Sequence, residues 1–403
     1  MDVNGLTLAV IARAGFGKTL RHNGREEEQE GHIPPGYRIS FLRAIHDTTS
    51  NMVPILMLPG WLLNLISPLR HAHVAHLQLG KYLREMIGAE RGRLRQDENH
   101  QSSSARGNLL TAVIRSSIEL GKTDPNKEGT AAGTRKQVFN DQEVLGNLFI
   151  YLLAGFETTA NAISYGLACL ALHPEVQERT IQEVDAVCAA ASSSEEEPLS
   201  YGEHFDKLQY LYGFMYEVFR LYPGVTLITK VALKPQTITT TTTSTHTLPA
   251  GTRVYLSSPG VHYHPRYWGP DPYKLDPTRW IDNSWTYNTS PPAGGASPSS
   301  TESIISNADN TGGSNFTAAD KTRQMRGTLL TFSDGARSCL GRKFAQAEYV
   351  AFFAALLRDY RVHLAEGVDR ETVKRDLDCK SAGKITLAPP YPVALRLEKR
   401  ERS

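Results

Sequence analysis

The chain has 403 residues, 40% of them hydrophobic and 21% charged, the values of a soluble globular protein with a large core in one big domain or two ordinary ones. Its formal net charge of +2 argues against nucleic-acid binding driven by bulk charge. Its 4 cysteines, Cys169, Cys188, Cys339 and Cys379, are too widely spaced for a disulfide frame and read as reduced thiols.

The opening segment holds a short apolar run, Leu6 to Ile11. It is too short to span a bilayer and lacks the basic leader and cleavage pattern of a signal peptide. Ala12-Arg13-Ala14-Gly15-Phe16-Gly17-Lys18-Thr19 follows. It satisfies a loose phosphate-loop pattern, in which N–H groups and Lys18 would cradle phosphates. The first position is alanine, however, and no later apolar strand ends in an aspartate fit to hold magnesium. Met52 to Leu69 is the most apolar stretch, broken by three prolines and Gly60. It predicts a helix–loop–helix that either packs in the core or touches a membrane or a substrate entrance. His71, His73 and His76 do not share one helical face and have no acidic or cysteine partner nearby, so they read as a solvated helix start. An amphipathic helix is expected from Leu77 to Arg95, and a short one from Asn108 to Glu119 between polar linkers.

Asn140 with Glu143 three residues on predicts a capped helix start. The pattern then runs to His173-Pro174, roughly 30 residues or about 45 Å, enough to cross a domain. Its middle reads Ala154-Gly155-Phe156-Glu157-Thr158-Thr159-Ala160. Glycine weakens a helix, and threonine hydroxyls compete for backbone carbonyls. Local rules broken inside a long helix point to a functional site, or to a kink tolerated for packing. Helices are expected from Glu175 to Ala191 and from Leu208 to Tyr222. The second carries Glu217 and Arg220, which share a face at i, i+3. Pro223 to Lys230 leads into strands. Thr237 to Thr247 predicts an exposed hairpin by its β-branching. Asn283 to Lys321 is rich in Ser, Gly, Asn, Thr and Pro and reads as a disordered insertion within a single domain, 1–403. Lys384 to Leu387 and Val393 to Leu397 suggest a closing hairpin around Pro389-Pro390.

The most informative stretch is Phe332-Ser333-Asp334-Gly335-Ala336-Arg337-Ser338-Cys339-Leu340-Gly341. A helical pattern, Phe344 to Leu357, follows it directly. Cys339 therefore lies just before a helix N-terminus, whose N–H groups and dipole favour an anion. Thiolate is the form of cysteine that ligates metal. Gly335 and Gly341 allow positive φ or close approach of a flat ligand.

Phe-x-x-Gly-x-Arg-x-Cys-x-Gly resembles the haem-binding loop of cytochrome P-450, the haem-thiolate monooxygenases, and of their fungal members in particular. Ala-Gly-x-Glu-Thr-Thr at Ala154 to Thr159 resembles that family's distal helix. Glu217-x-x-Arg220 and Asp276-Pro277-Thr278-Arg279-Trp280 resemble two further family segments, in family order. The resemblance implies a mainly α fold with small β-sheets (α+β) and haem b, iron protoporphyrin IX, as cofactor. Cys339 would be the axial ligand of the iron. Phe332, Gly335, Arg337 and Gly341 would shape its loop, with Arg337 and Lys230 toward the propionates. Thr158 would hydrogen-bond dioxygen, Glu157 would feed protons through water, and Gly155 would leave room for oxygen and substrate. Glu217, Arg220 and Arg279 would form a structural triad that supports the loop. Arg337, Arg342 and Lys343 would offer a basic face to an NADPH-dependent reductase. The implied reaction inserts one atom of dioxygen into an apolar small molecule, by a monomer at the cytosolic face of the endoplasmic reticulum. Met52 to Leu69 would supply any peripheral membrane contact. By the same resemblance the family's N-terminal anchor, first strands and early helices have no counterpart before Met1, and without its anchor the chain itself would be cytosolic. The competing readings are a truncated, catalytically dead paralogue or gene-model fragment, and a phosphate-loop nucleotide hydrolase using Lys18.

Overall fold

The structure, a computed structural model, describes residues 3–17, 33–99, 107–121, 139–191, 199–240, 244–281, 327–383 and 386–401. Contacts divide the chain into two compact units, Met1–Ala160 and Asn161–Ser403.

Among the described residues, the regular elements of the first unit are all helices. They are α1 (Val3–Phe16), α2 (Phe41–Ser50), α3 (Met52–Met57), α4 (Gly60–Leu65), α5 (Ser67–Asn99), α6 (Leu109–Gly121) and the first part of α7 (Asp141–Leu172). Ser40 caps α2 by accepting from the Arg43 N–H at 3.3 Å. Asn140 and Glu143 close a reciprocal cap at the start of α7. Glu143 N–H donates to Asn140 Oδ1 at 2.9 Å and Asn140 N–H to Glu143 Oε2 at 2.8 Å. One core unites the helices: Leu8 and Ile11 of α1, Ile45 of α2, Leu83 of α5, Ile114 of α6 and Leu152 of α7 are all buried in it. Burying each such side chain contributes about 2 kcal/mol.

Two expectations for this unit are corrected. A phosphate loop needs a strand leading into it, but Leu6 to Ile11 lie in α1, and that helix stops at Gly17 with φ +67°. Lys18 itself lies outside the described residues. Of the histidines, His71 is exposed near the start of α5, as expected, but His76 is not solvated. α5 begins at Ser67, and His76 packs edge-on against Phe149, ring centroids 5.9 Å apart. Its buried Nδ1 has no hydrogen-bond partner among the described residues, and burial pushes its pKa below the ordinary histidine value.

The second unit takes the end of α7 and continues with α8 (Pro174–Ala191), α9 (Tyr201–His204), α10 (Gln209–Leu221), α11 (Ser258–His262), α12 (Pro265–Trp268), α13 (Arg342–Asp359) and α14 (Arg370–Lys380). Its strands are β1 (Leu227–Val231), β2 (Gln236–Thr239), β3 (Thr245–Leu248), β4 (Arg253–Ser257), β5 (Tyr360–Leu364) and β6 (Leu395–Lys399). They pair antiparallel as β1–β4, β2–β3 and β5–β6. The threonine-rich hairpin is present, with Thr237 opposite Thr247. The expected closing hairpin is not. Leu395 to Leu397 pair with Leu364 to Val362, and the Pro389-Pro390 region keeps one bridge, Ala382 with Ala388. Two successive prolines supply no N–H to a ladder, whereas Val362 offers a buried side chain in regular register. Lys384 and Ile385, like the insertion at 283–321, lie outside the described residues.

α10 is the centre of this unit, buried from Tyr210 to Leu221. A 3-10 turn at Pro277–Trp280 lies against it. Gly213 makes that approach possible, since a Cβ there would stand 2.5 Å from the Pro277 carbonyl oxygen. Asp276 Oδ1 caps the turn by accepting from the Thr278 N–H at 3.1 Å. α13 also packs on α10. Phe214 meets Phe353 edge-on, and Gln346 Nε2 donates to the Tyr216 hydroxyl at 2.6 Å.

Candidate active site

Glu217 and Arg220 are both fully buried on α10. Arg220 Nε donates to Glu217 Oε1 at 2.9 Å and Nη2 to Oε2 at 2.8 Å, a fork on a carboxylate. The remaining N–H groups reach the carbonyls of His262, Pro272 and Lys274, so all five donors of the guanidinium are used. The carboxylate is equally saturated. Oε1 also accepts from Trp280 Nε1 at 2.9 Å, and Oε2 from the Asp276 N–H at 3.1 Å. A buried ion pair is tolerable only when its leftover donors and acceptors are filled in this way.

Arg279 contributes less directly than the sequence suggested. Its Nε lies 3.9 Å from Glu217 Oε2 and makes no hydrogen bond there. Its Nη1 and Nη2 donate to the Trp268 and Asp271 carbonyls instead. Trp280 and Asp276 make the contacts that a second arginine was expected to make. The carboxylate can take a tryptophan N–H and a backbone N–H because the 3-10 turn lies so close to α10.

The cysteine loop is built on that base. Thr331 Oγ1 donates to the Phe219 carbonyl at 3.1 Å, and Phe332 packs edge-on to Phe219, centroids 5.6 Å apart. Lys230 Nζ, on β1, donates to Ser333 Oγ at 3.1 Å. The chain then turns sharply through Ser333 at φ 56° and Gly335 at φ 76°, with Asp334 Oδ1 accepting from the Gly335 N–H. Gly335 is thus the glycine that needs left-handed freedom; Gly341 has φ −82° and caps α13. The Cys339 N–H returns to the Phe332 carbonyl at 2.8 Å and closes the loop. From Asp334 to Gly341 every residue is exposed, Arg337 and Cys339 included. Leu340 is 79% exposed and Phe344 is also open. A thiol is therefore presented outward between apolar side chains. A Cβ at Gly335 would meet nothing within 4 Å, so a flat apolar ligand has space beside the loop.

The other predicted site residues lie on α7, in the first unit. α7 is helical without interruption through them. Thr158 Oγ1 donates back to the Ala154 carbonyl at 2.7 Å, and Thr159 Oγ1 to the Gly155 carbonyl at 3.1 Å. Buried Thr7 Oγ1 of α1 lies 3.2 Å from the Phe156 carbonyl oxygen. Three successive carbonyls thus have a hydroxyl close by in addition to the helix bonds, which loosens the helix locally. Thr158 and Glu157 are half-buried, while Thr159 is buried. Gly155 differs from its expected part. A Cβ there would lie 3.1 Å from Ile11 Cδ1, so the missing side chain admits α1 and opens no space for oxygen or substrate.

The segment Asp276 to Trp280 was legible as a family segment, but only Arg279 in it was expected to act; Trp280 and Asp276 as partners of Glu217, and Thr7 and Gly213, were not foreseen. Each acts through a partner far away along the chain.

The cytochrome P450 family model matches residues 2–388. The cytochrome P450 monooxygenase prx9 of Penicillium rubens is 48% identical over 406 residues, covering 99% of this chain and 64% of its own length. The cytochrome P450 monooxygenase ORF6 of Penicillium roqueforti is 47% identical, again with 64% of its length covered. The chain thus spans about two-thirds of the length of these relatives, 64%. Among solved structures, the heme domain of cytochrome P450DA aligns with a TM-score of 0.65 at 19% identity, over 99% of this chain and 67% of that one. A second cytochrome P450, CYP102L1, aligns with a TM-score of 0.64 at 20% identity, over 99% of this chain and 71% of that one. Fold, loop and family match agree: the chain belongs to the cytochrome P450 family.

Proposed function

We propose that this chain carries the haem-thiolate centre of a monooxygenase that inserts one atom of dioxygen into an apolar small molecule of secondary metabolism. The observation that carries the reading is the outward-facing Cys339, held at the mouth of α13 by its own N–H to Phe332. The residues present fit the cofactor. The exposed thiol of Cys339 offers one axial ligand, Leu340 and Phe344 offer apolar contact, and Arg337 and Lys230 offer cations to its carboxylates. Bound haem b supplies an iron at which dioxygen is activated, and thiolate donation from Cys339 favours O–O cleavage.

The remaining steps belong to side chains of this chain. Thr158, with its hydroxyl already on the Ala154 carbonyl, holds a proton donor at a fixed height on α7. Glu157 on the same turn relays protons to it through water. Glu217, Arg220, Trp280 and Asp276 anchor the floor under the cysteine loop. Arg337, Arg342 and Lys343 form the docking face for an NADPH-dependent reductase.

α3 and α4 expose an apolar surface: Leu56 is 73% exposed, Met57 77%, Trp61 66% and Leu65 70%. We assign it to peripheral contact with a bilayer, Trp61 at the interface, on the cytosolic face of the endoplasmic reticulum. Among the described residues no helix is long and apolar enough to cross a membrane.

Haem titration tests the reading. The wild-type protein is expected to take up one haem per chain with low-spin or high-spin thiolate spectra. Cys339→Ala is expected to lose that spectrum, and unchanged thiolate spectra in the variant would refute the assignment.

A further inference from the structure

His262, at the end of α11, is fully buried, and the ring has two partners. Its Nδ1 lies 3.0 Å from the Arg220 carbonyl oxygen. Its Nε2 lies 2.8 Å from the Leu330 backbone nitrogen. The partners dictate the protonation state. A carbonyl only accepts, so Nδ1 carries the hydrogen; a backbone N–H only donates, so Nε2 is the bare acceptor. The imidazolium form would set one N–H against another; independently, burial, aided by the Arg220 charge, pushes the pKa down to about 4. The ring is locked as one neutral tautomer.

Its two partners are not neighbours in function. Arg220 belongs to the buried ion pair on α10, and it grips His262 a second time through Nη1 on the His262 carbonyl at 3.0 Å. Leu330 opens the segment that becomes the cysteine loop. Leu330 O accepts from Ser333 N–H at 2.9 Å, and Phe332 O accepts from Cys339 N–H at 2.8 Å. A run of short bonds therefore leads from Glu217–Arg220 through the imidazole to the backbone that sets Cys339. Metal binding does not account for the histidine, because both ring nitrogens are already engaged.

We propose that His262 is a positioning residue for the cysteine ligand, a neutral two-ended tether that fixes the register of Leu330 to Phe332 against α10. This rests on the haem-thiolate reading for its consequence at the sulfur, but not for the tether itself. An imidazole suits the task. It spans the gap rigidly, with a donor and an acceptor on opposite sides of one ring, and no amide side chain offers both at that separation. Without it the Leu330 N–H is a buried orphan, and the loop can slide.

Three measurements test the tether. In wild-type protein labelled at histidine nitrogen, the His262 signals are expected to show the Nδ1–H tautomer; an Nε2–H tautomer overturns the proposal and needs no variant to fold. His262→Asn keeps a donor for the Arg220 carbonyl and loses reach to Leu330. By hydrogen exchange of the full chain, the Leu330 amide is expected to open roughly tenfold faster, with amides of α10 unchanged. Wild-type protection at Leu330, or equal loss throughout α10, overturns it. In haem-loaded His262→Asn, the reduced carbon-monoxide spectrum is expected to shift partly from the thiolate band toward the thiol band. Wild-type spectra with a freed Leu330 amide overturn the link from tether to sulfur. If wild-type protein shows no thiolate band at all, the haem reading fails while the exchange and tautomer results still judge the tether.

Discussion

Trp280 Nε1 donates to Glu217 Oε1 at 2.9 Å, closer than Arg279 comes to the same carboxylate. The buried glutamate is therefore balanced chiefly by Arg220 and by neutral N–H donors. Removing one partner of a buried, saturated ion pair costs about 3–5 kcal/mol, because the other charge is stranded. Arg220→Ala is expected to lose that much in urea unfolding. Trp280→Phe should lose about 1–3 kcal/mol for the orphaned acceptor. Arg279→Ala, whose hydrogen bonds go to carbonyls at the rim, should lose no more than about 1–2 kcal/mol. Equal losses for the two arginines would contradict this order.

Gly213 should resist even the smallest substitution. Alanine is the better helix former by about 1 kcal/mol, so an open site would gain stability. Here the added methyl would press on the Pro277 carbonyl, which is backbone and cannot rotate away. Gly213→Ala is expected to destabilise by about 1–3 kcal/mol and to weaken haem retention. Thermal unfolding checks it, and a neutral or stabilising alanine would show that the turn can move.

Glu348, on α13, gives the molecule a pH signature. Both carboxyl oxygens are buried without a hydrogen-bond partner among the described residues, and burial pushes the pKa up to about 8. The folded state then holds a proton that the unfolded chain releases near the ordinary value of 4.5. The associated stability is present below that value and is lost as pH rises toward about 8. Glu348→Gln should flatten this decline and exceed wild type in stability at the alkaline end. Parallel pH profiles for the two proteins would remove the carboxyl from the account.

Thr158 and Thr159 make the same back-bond but differ in exposure. Only the first can present its hydroxyl to a reactant. Thr158→Ala and Glu157→Gln are expected to lower product formed per oxygen consumed by roughly tenfold or more. Thr159→Ala should leave that ratio intact. Full coupling in Thr158→Ala would refute the proton-relay assignment.

The parts of this fold governed by local pattern were legible in the sequence. The capping box at Asn140 and Glu143, the length of α7, the threonine hairpin and the turn before α13 all follow from residue types a few positions apart. What lay hidden depends on distant partners. β6 pairs with β5 because Val362 offers a buried register, a fact invisible beside Pro389 and Pro390. Gly155 suggested open space, yet Ile11, from the far end of the unit, fills it. Nothing in the residues around His262 marks it out, and only the nearness of Arg220 and Leu330 gives it a task.

The central claim concerns the sulfur of Cys339, and one spectrum addresses it. Haem-loaded protein, reduced and exposed to carbon monoxide, is expected to show the red-shifted Soret band of thiolate ligation, and Cys339→Ala is expected to lack it. A wild-type band at the position of thiol or imidazole ligation, or a thiolate band that survives in Cys339→Ala, would contradict the account.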